Sequence, residues 1–314
     1  MSVVRVCFLG TPDFAAQHLQ TLLKDSHFEV VGVVTQPDRP AGRKMQLTAS
    51  PVKVLALSHH IPVINPENLR KDPEALKTIQ SWKAEVAVVV AFGQILSTEF
   101  LNSFNYGAVN VHGSLLPLWR GAAPIQRSLE AGDTQTGVSL QKMVFKLDAG
   151  GVIGERKIIL DDQINATELY SKLARLGCEL LEVELMDYLR GNLAPVDQDE
   201  TQVTLAPKIS KEESLLQFIQ PARKLHNKVR AFSMGPGTYI ISEGKRLKIL
   251  ETYFTEKNSD LRPGLISGLE PEGIFIQTTE GQLILKTVQL ESKNKMTSQD
   301  FLKLMPRLKG DAFV

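Results

Sequence analysis

"FLGTPDFAAQHLQTLL" (residues 8–23) carries an apolar run into a lone glycine and then, past Thr-Pro-Asp, into a stretch with helical periodicity. Strand, glycine turn and helix in that order are how a Rossmann unit opens. A dinucleotide site in such a turn needs three glycines, so that the backbone can turn and approach a pyrophosphate, and only Gly10 is present. The segment speaks for the fold and against a bound dinucleotide. Gly10 reads as a tight turn, while the free N–H groups of the helix start leave room for a weak anion site.

Outward from this unit, the first two thirds of the chain alternate apolar, β-branched runs with helix-like segments. The strand candidates are "VVRVCFLG", "EVVGVVTQ", "IPVIN", "VAVVVAF", "GAVNVHG", "TGVSLQKM" and "GGVIGERKIIL". Helices fit at about 13–25, 51–59, 73–82, 122–131 and 166–190. Such alternation predicts a doubly wound α/β domain, a parallel sheet covered on both faces, with late strands added at one edge.

Near residue 191 the character changes. "RGNLAPVDQDETQVTLAPKIS" is polar and aperiodic and holds two prolines, so it reads as a linker. A short helix follows at about 221–231, then five brief strands at "GTYIIS", "RLKILETYFT", "GLISGL", "GIFIQTT" and "GQLILKTVQLE". Turn signals about every ten residues suggest a small β-barrel, OB-like in type. The expected division is a Rossmann-like domain over 1–191, a linker over 192–206 and a barrel over 207–314.

At 314 residues, 43% hydrophobic and 23% charged, the composition is that of a globular protein of about two domains. The longest apolar runs fall well short of the roughly 18 residues a membrane span needs. The N-terminus lacks the pattern of a secretory signal, so a cytoplasmic location, with no membrane association, is expected. Cys7 and Cys178 stand far apart without Cys/His spacing around them, which argues against a disulfide framework or a metal site. Charge is uneven. Residues 1–206 hold 19 Lys/Arg against 23 Asp/Glu, a net of −4, and residues 207–314 hold 17 against 12, a net of +5. That asymmetry fits an anionic partner on the C-terminal part, or simply a solvated surface.

The chemistry concentrates in "NVHGSLLPLWRGAAP" (residues 110–124). Strand alternation puts Asn110 and His112 on one face, at the C-terminal end of a strand, where open α/β sheets bind ligands. Acyl or formyl transfer to an amine requires a donor for the developing oxyanion and a group that relays a proton. Asn110 can donate and His112 can relay. A carboxylate to orient His112 is available in Asp148, which precedes a Gly pair in "FKLDAGGVIG". Taken singly, Asn-x-His at a strand end and Asp before glycine have structural readings; the combination is more specific than its parts.

In order and spacing, "FLGTPDFA", "TQPDRPAGR", "SPVK", "VVVAFGQIL", "NVHGSLLPLWRGAAPIQRSL", "GDTQTGVSLQKM", "LDAGG" and "LAPKISKEE" resemble the methionyl-tRNA formyltransferases, a family of folate-dependent formyltransferases. The resemblance runs over essentially the whole chain. It implies a catalytic trio of Asn110, His112 and Asp148, with 10-formyltetrahydrofolate as donor, the amino group of charged initiator methionyl-tRNA as acceptor, and no metal. It also implies a folate pocket formed by Phe92, Gly93, Gln94, Ile95 and Leu96, with a wall of Ser114, Leu115, Leu116 and Pro117. The long basic connection 37–53 matches the family's inserted loop. Arg39, Arg43 and Lys44 there, with Lys208 and Lys211 at the start of the barrel, are the implied tRNA contacts. Many members read like "IRAFNPWPG" where this chain has "VRAFSMGPG" (residues 229–237), so Ser233, Met234 and Gly235 are departures. A monomer is expected. Two other readings share some of these features: a formyltransferase for a small amine, which has little use for the basic loop or barrel, and a nucleic-acid binding module with a vestigial α/β domain.

Overall fold

The computed structural model describes residues 3–41 and 45–313. The chain forms two compact units. One comprises the chain up to Pro124 with Gln135–Ile158 and Tyr170–Ala206; the other comprises Ile125–Thr134, Ile159–Leu169 and the chain from Pro207 onward.

In chain order the elements are β1 (Val4–Gly10), α1 (Asp13–Lys24), β2 (Phe28–Val34), β3 (Arg39–Ala41), β4 (Gln46–Thr48), α2 (Pro51–Ser58), β5 (Val63–Ile64), α3 (Pro73–Ser81), β6 (Val86–Val90), α4 (Thr98–Leu101), β7 (Ala108–His112) and β8 (Arg120–Gly121). There follow α5 (Pro124–Ala131), β9 (Gln135–Lys142), β10 (Val152–Ile159), α6 (Ala166–Leu180), α7 (Met186–Leu189) and β11 (Leu205–Ala206). The remaining elements are α8 (Ala222–Ala231), β12 (Thr238–Ser242), β13 (Lys245–Thr255), β14 (Ile266–Glu270), β15 (Gly273–Gln277), β16 (Gln282–Leu290), β17 (Met296–Thr297) and α9 (Ser298–Leu304).

The first unit is built on a seven-stranded sheet in the order β10-β9-β7-β6-β1-β2-β5. β5, β2, β1, β6 and β7 pair in parallel, and β9 runs antiparallel to β7. All five residues of β6, "VAVVV", are buried, as a central strand covered on both faces requires. The chain order reverses between β1 and β6, the switch point where such sheets open a crevice beyond their strand ends. Gly10 closes β1 against that crevice. A Cβ there would lie 2.6 Å from the Ala15 Cβ and 2.9 Å from the Val90 carbonyl oxygen, so the tight βα turn admits glycine alone. Local signals start the helices. Ser50 and Asp72 accept the N–H groups of Lys53 and Ala75, with Pro51 and Pro73 at the first helical position.

The second unit is the barrel-like antiparallel ladder β12-β13-β16-β15-β14, with β17 on β16. Leu225 and Val229 of α8 join Ile240, Leu247, Ile274, Leu283, Phe301 and Phe313 in its core. Alternation is plain along β12, where Thr238, Ile240 and Ser242 are buried and Ile241 is exposed. Sequence periodicity located every long strand; the hairpin β3–β4, the two-residue strands β8, β11 and β17, and the helices α4 and α9 were not among its readings.

Candidate active site

β7 ends in Asn110 and His112, and the sheet places both at the strand's C-terminal end with 9% and 6% exposure. The Nε2 of His112 lies 2.9 Å from the Trp119 carbonyl oxygen. A carbonyl only accepts, so Nε2 carries a proton and the other ring nitrogen, Nδ1, is left facing Asp148, whose Oδ2 is 3.7 Å away. That separation is too long for a hydrogen bond and suits an ion pair once the ring is protonated. Asn110 makes no side-chain hydrogen bond among the described residues, so its amide is free to donate.

Asp148 is held from several sides. Its Oδ2 accepts the Gly121 N–H at 2.9 Å and its Oδ1 accepts Gln141 Nε2 at 3.1 Å, with the carboxylate side chain 9% exposed. Its backbone sits at φ +48°, in the left-handed region that Asp enters more readily than most non-glycine residues. Gln141 is buried on β9 directly opposite Asn110, and His112 is opposite Ser139.

The turn that serves both His112 and Asp148 is itself fastened by the segment ending in β11. Trp119 N–H donates to Thr204 Oγ1 at 2.8 Å, Arg120 N–H to the Thr204 carbonyl at 2.9 Å, and β8 pairs with β11 in parallel. Arg120, 3% exposed, donates through Nε and a terminal nitrogen to Gln198 Oε1 at 3.0 and 2.8 Å, and pairs with Glu200 at 2.8 Å. Arg120 and Lys146 together hold the Glu200 carboxyl down at about 2.

The implied folate residues lie on loops that follow neighbouring strands. Phe92 and Leu96 are buried, Ile95 is 65% exposed, and the Phe92 carbonyl accepts from Thr11 Oγ1 at 3.3 Å and Gln36 Nε2 at 3.0 Å. Gly93 takes φ +82°. Gln94 is committed to its own loop, accepting the Leu69 N–H and donating to the Pro66 carbonyl. After β7, Ser114 donates to the Leu118 carbonyl, Ser139 Oγ receives the Leu116 N–H, Leu115 packs over Gly137, and the bond to Pro117 is cis. In the loop 92–96, Gly93 and Ile95 are the exposed members.

Of the implied tRNA contacts, Arg39 is exposed on β3, Lys208 and Lys211 are exposed in the second unit, and Arg43 and Lys44 lie outside the described residues. Other basic groups near the start of the barrel are used internally. Arg230 is buried and donates to the Asp161 and Ile164 carbonyls, and Lys228 stands 3.7 Å from Glu130. Among the departures, Ser233 contacts Thr167 and Asn165, and Met234 is exposed. Among the described residues no cluster of three His, Cys, Asp or Glu groups could hold a metal, and no described helix is long and apolar enough to cross a membrane.

A Rossmann-like sheet with an Asn, a His and an Asp gathered at its strand ends, followed by an antiparallel barrel, belongs to the formyl transferase family: the family's formyl transferase model matches residues 4–184 and its C-terminal domain model residues 208–306. The chain is 57% identical, over 306 residues and 96% of each chain, to the methionyl-tRNA formyltransferase of Bdellovibrio bacteriovorus. The fold is shared with the N-formyltransferase of Helicobacter canadensis, in complex with folinic acid and dTDP-3-aminofucose, at 18% identity and TM-score 0.67 over 90% of this chain and 98% of that one. It is also shared with HypX of Aquifex aeolicus in complex with tetrahydrofolic acid, at 18% identity and TM-score 0.63 over 99% of this chain and 49% of that one.

Proposed function

We propose that the chain transfers the formyl group of 10-formyltetrahydrofolate to the amino group of charged initiator methionyl-tRNA in the cytoplasm, giving formylmethionyl-tRNA for translation initiation. The observation that carries the reading is Asn110, a 9% exposed residue whose amide has no hydrogen-bond partner among the described residues, on the same strand end as a His112 that faces a fixed carboxylate. The relative in Bdellovibrio bacteriovorus supports the acceptor, and the folate-type ligands of the two fold relatives support the donor.

As the amine nitrogen bonds to the formyl carbon, negative charge grows on the formyl oxygen, and the Asn110 amide donates to it. His112, protonated at Nδ1 and paired with Asp148, adds a positive charge at the same place. The amine gives up one proton and the leaving nitrogen of the donor gains one as its bond to carbon breaks. His112 gives its Nδ1 proton to that leaving nitrogen and takes up in its place the proton the amine releases, while Asp148 holds the ring through the exchange. The loops 92–96 and 114–117 would hold the folate through main-chain groups and apolar contact, and Arg39, Arg43, Lys44, Lys208 and Lys211 would meet tRNA phosphates.

The test is transfer of labelled formyl to initiator methionyl-tRNA beside elongator methionyl-tRNA, free methionine and a nucleotide-linked amino sugar. Formylation confined to the initiator species is the expected result. Turnover on the amino sugar alone would keep the chemistry and overturn the acceptor.

A further inference from the structure

Gln198 lies in a polar segment with no sequence signature, yet every hydrogen-bonding position of its side chain is filled. Its Nε2 donates to the Asp148 carbonyl at 2.8 Å and to the Gly150 carbonyl at 2.6 Å, and its Oε1 accepts both Arg120 contacts. These partners fix the orientation of the amide, because the flipped group would set an oxygen against two carbonyls and an NH2 against a guanidinium. They also fix the residue type. Glutamate has no proton to donate, lysine and arginine cannot accept, and asparagine is a methylene shorter.

What Gln198 ties together is the site. On one side it holds the backbone on which Asp148 sits at φ +48°. On the other it holds Arg120, whose neighbours in sequence are the Trp119 carbonyl that receives His112 Nε2 and the Gly121 N–H that holds Asp148 Oδ2. A bridge of backbone ladders flanks it, with Val196 and Val152 exchanging two hydrogen bonds of 2.8 Å and Leu205 and Ala206 pairing with Arg120 and Gly121.

We infer that Gln198 is a positioning residue for formyl transfer: locked by Arg120, it sets the Asp148 backbone so that the carboxylate stands at its distance from His112. The inference rests on the proposed role of Asp148. Misplacing a catalytic group by about 1 Å costs up to about 100-fold in rate. Gln198→Ala is therefore expected to lower kcat by about 10- to 100-fold, with KM for either substrate within about threefold of the parent.

The deciding measurement is a cycle with Asp148→Ala. A residue that acts only through Asp148 adds nothing once Asp148 is gone, so Asp148→Ala and the double variant should turn over at the same rate. An undiminished Gln198→Ala penalty in the Asp148→Ala background, or full turnover by Gln198→Ala beside an impaired Asp148→Ala, would overturn the positioning role and leave the proposed function standing. Full turnover by Asp148→Ala alone would overturn both. Should Gln198→Ala fail to fold, Gln198→Glu keeps the chain length and the acceptor for Arg120 while removing the donor, and the same cycle is read with it.

Discussion

At the scale of single residues, the proposed reaction separates groups that would touch the reacting atoms from groups that aim them. In the proposed reaction Asn110 meets charge that exists only in the transition state, so Asn110→Ala should cut kcat by about 100- to 1,000-fold and leave KM nearly unchanged. Steady-state kinetics over both substrates checks this, and a variant with its loss confined to KM would contradict the oxyanion role. Asn110 and His112 were legible in sequence because strand parity and the end of an apolar run fix their face and position before any tertiary contact is known. Gln141 was not. Its parity on β9 is equally regular, but which residue it opposes depends on the register between β7 and β9, and no local pattern encodes a register. With its Oε1 buried and unpaired, Gln141 keeps one contact that matters, the donor to Asp148. Gln141→Met, similar in shape and without the donor, should retain the fold and lower kcat by roughly 10-fold, on the scale of losing one hydrogen bond to a charged group.

At the scale of elements, the long strands and helices were readable because each buries a face whose period matches its backbone, as in the apolar runs of β1 and β6. The two-residue strands β8 and β11 carry no period at all. Their pairing spans some 85 residues of sequence and depends on one backbone feature, Gly121 at φ +129°, where a Cβ would lie 2.7 Å from the Ala206 carbonyl oxygen. Gly191 offers the control, with φ +79° and nothing within 4 Å of the added carbon. Both Gly→Ala changes pay backbone strain of about 1–2 kcal/mol, but Gly121→Ala should also lower turnover by displacing the N–H that holds Asp148. Thermal melts beside kcat separate the two effects. Helix α1 stores a different constraint. His18 is fully buried, its Nδ1 donates to the Phe14 carbonyl at 2.6 Å, and burial pushes its pKa down to about 4 from 6.5. Between those values the unfolded chain takes up a proton that the folded chain refuses, so stability falls as pH drops from 6.5 towards 4, by up to about 3 kcal/mol. In His18→Met the acid-side slope of denaturant-measured stability should be shallower by about one proton, and an unchanged slope would show that the ring titrates alike in both states.

At the scale of the whole molecule, chain order and compactness part company. Composition and periodicity change near residue 191, which made a two-part chain legible, but spatial grouping is set by long-range burial that a linear reading does not see. The second unit takes in Ile125–Thr134 and Ile159–Leu169 as well as the chain from Pro207. Within it, His226 Nε2 donates to the Asp162 carbonyl at 2.6 Å, and Arg230 reaches the Asp161 and Ile164 carbonyls. Ile125, Leu129, Leu160, Ile164 and Leu169 are all buried. A chain ended at Ala206 keeps these five side chains but loses the rest of their unit. The Asp161, Asp162 and Ile164 carbonyls lose the donors that His226 and Arg230 supply, about 0.5–1.5 kcal/mol each and up to about 3 for a charged donor, a large share of the ~5–15 kcal/mol that holds a domain folded. Residues 1–206 alone should therefore melt well below the full chain or associate through the uncovered patch, although the trio and its Gln198 clamp are all retained. Calorimetry and light scattering on the two chains decide the matter: a truncated monomer melting cooperatively at the temperature of the full chain would mean that those two segments owe their burial to the first unit instead.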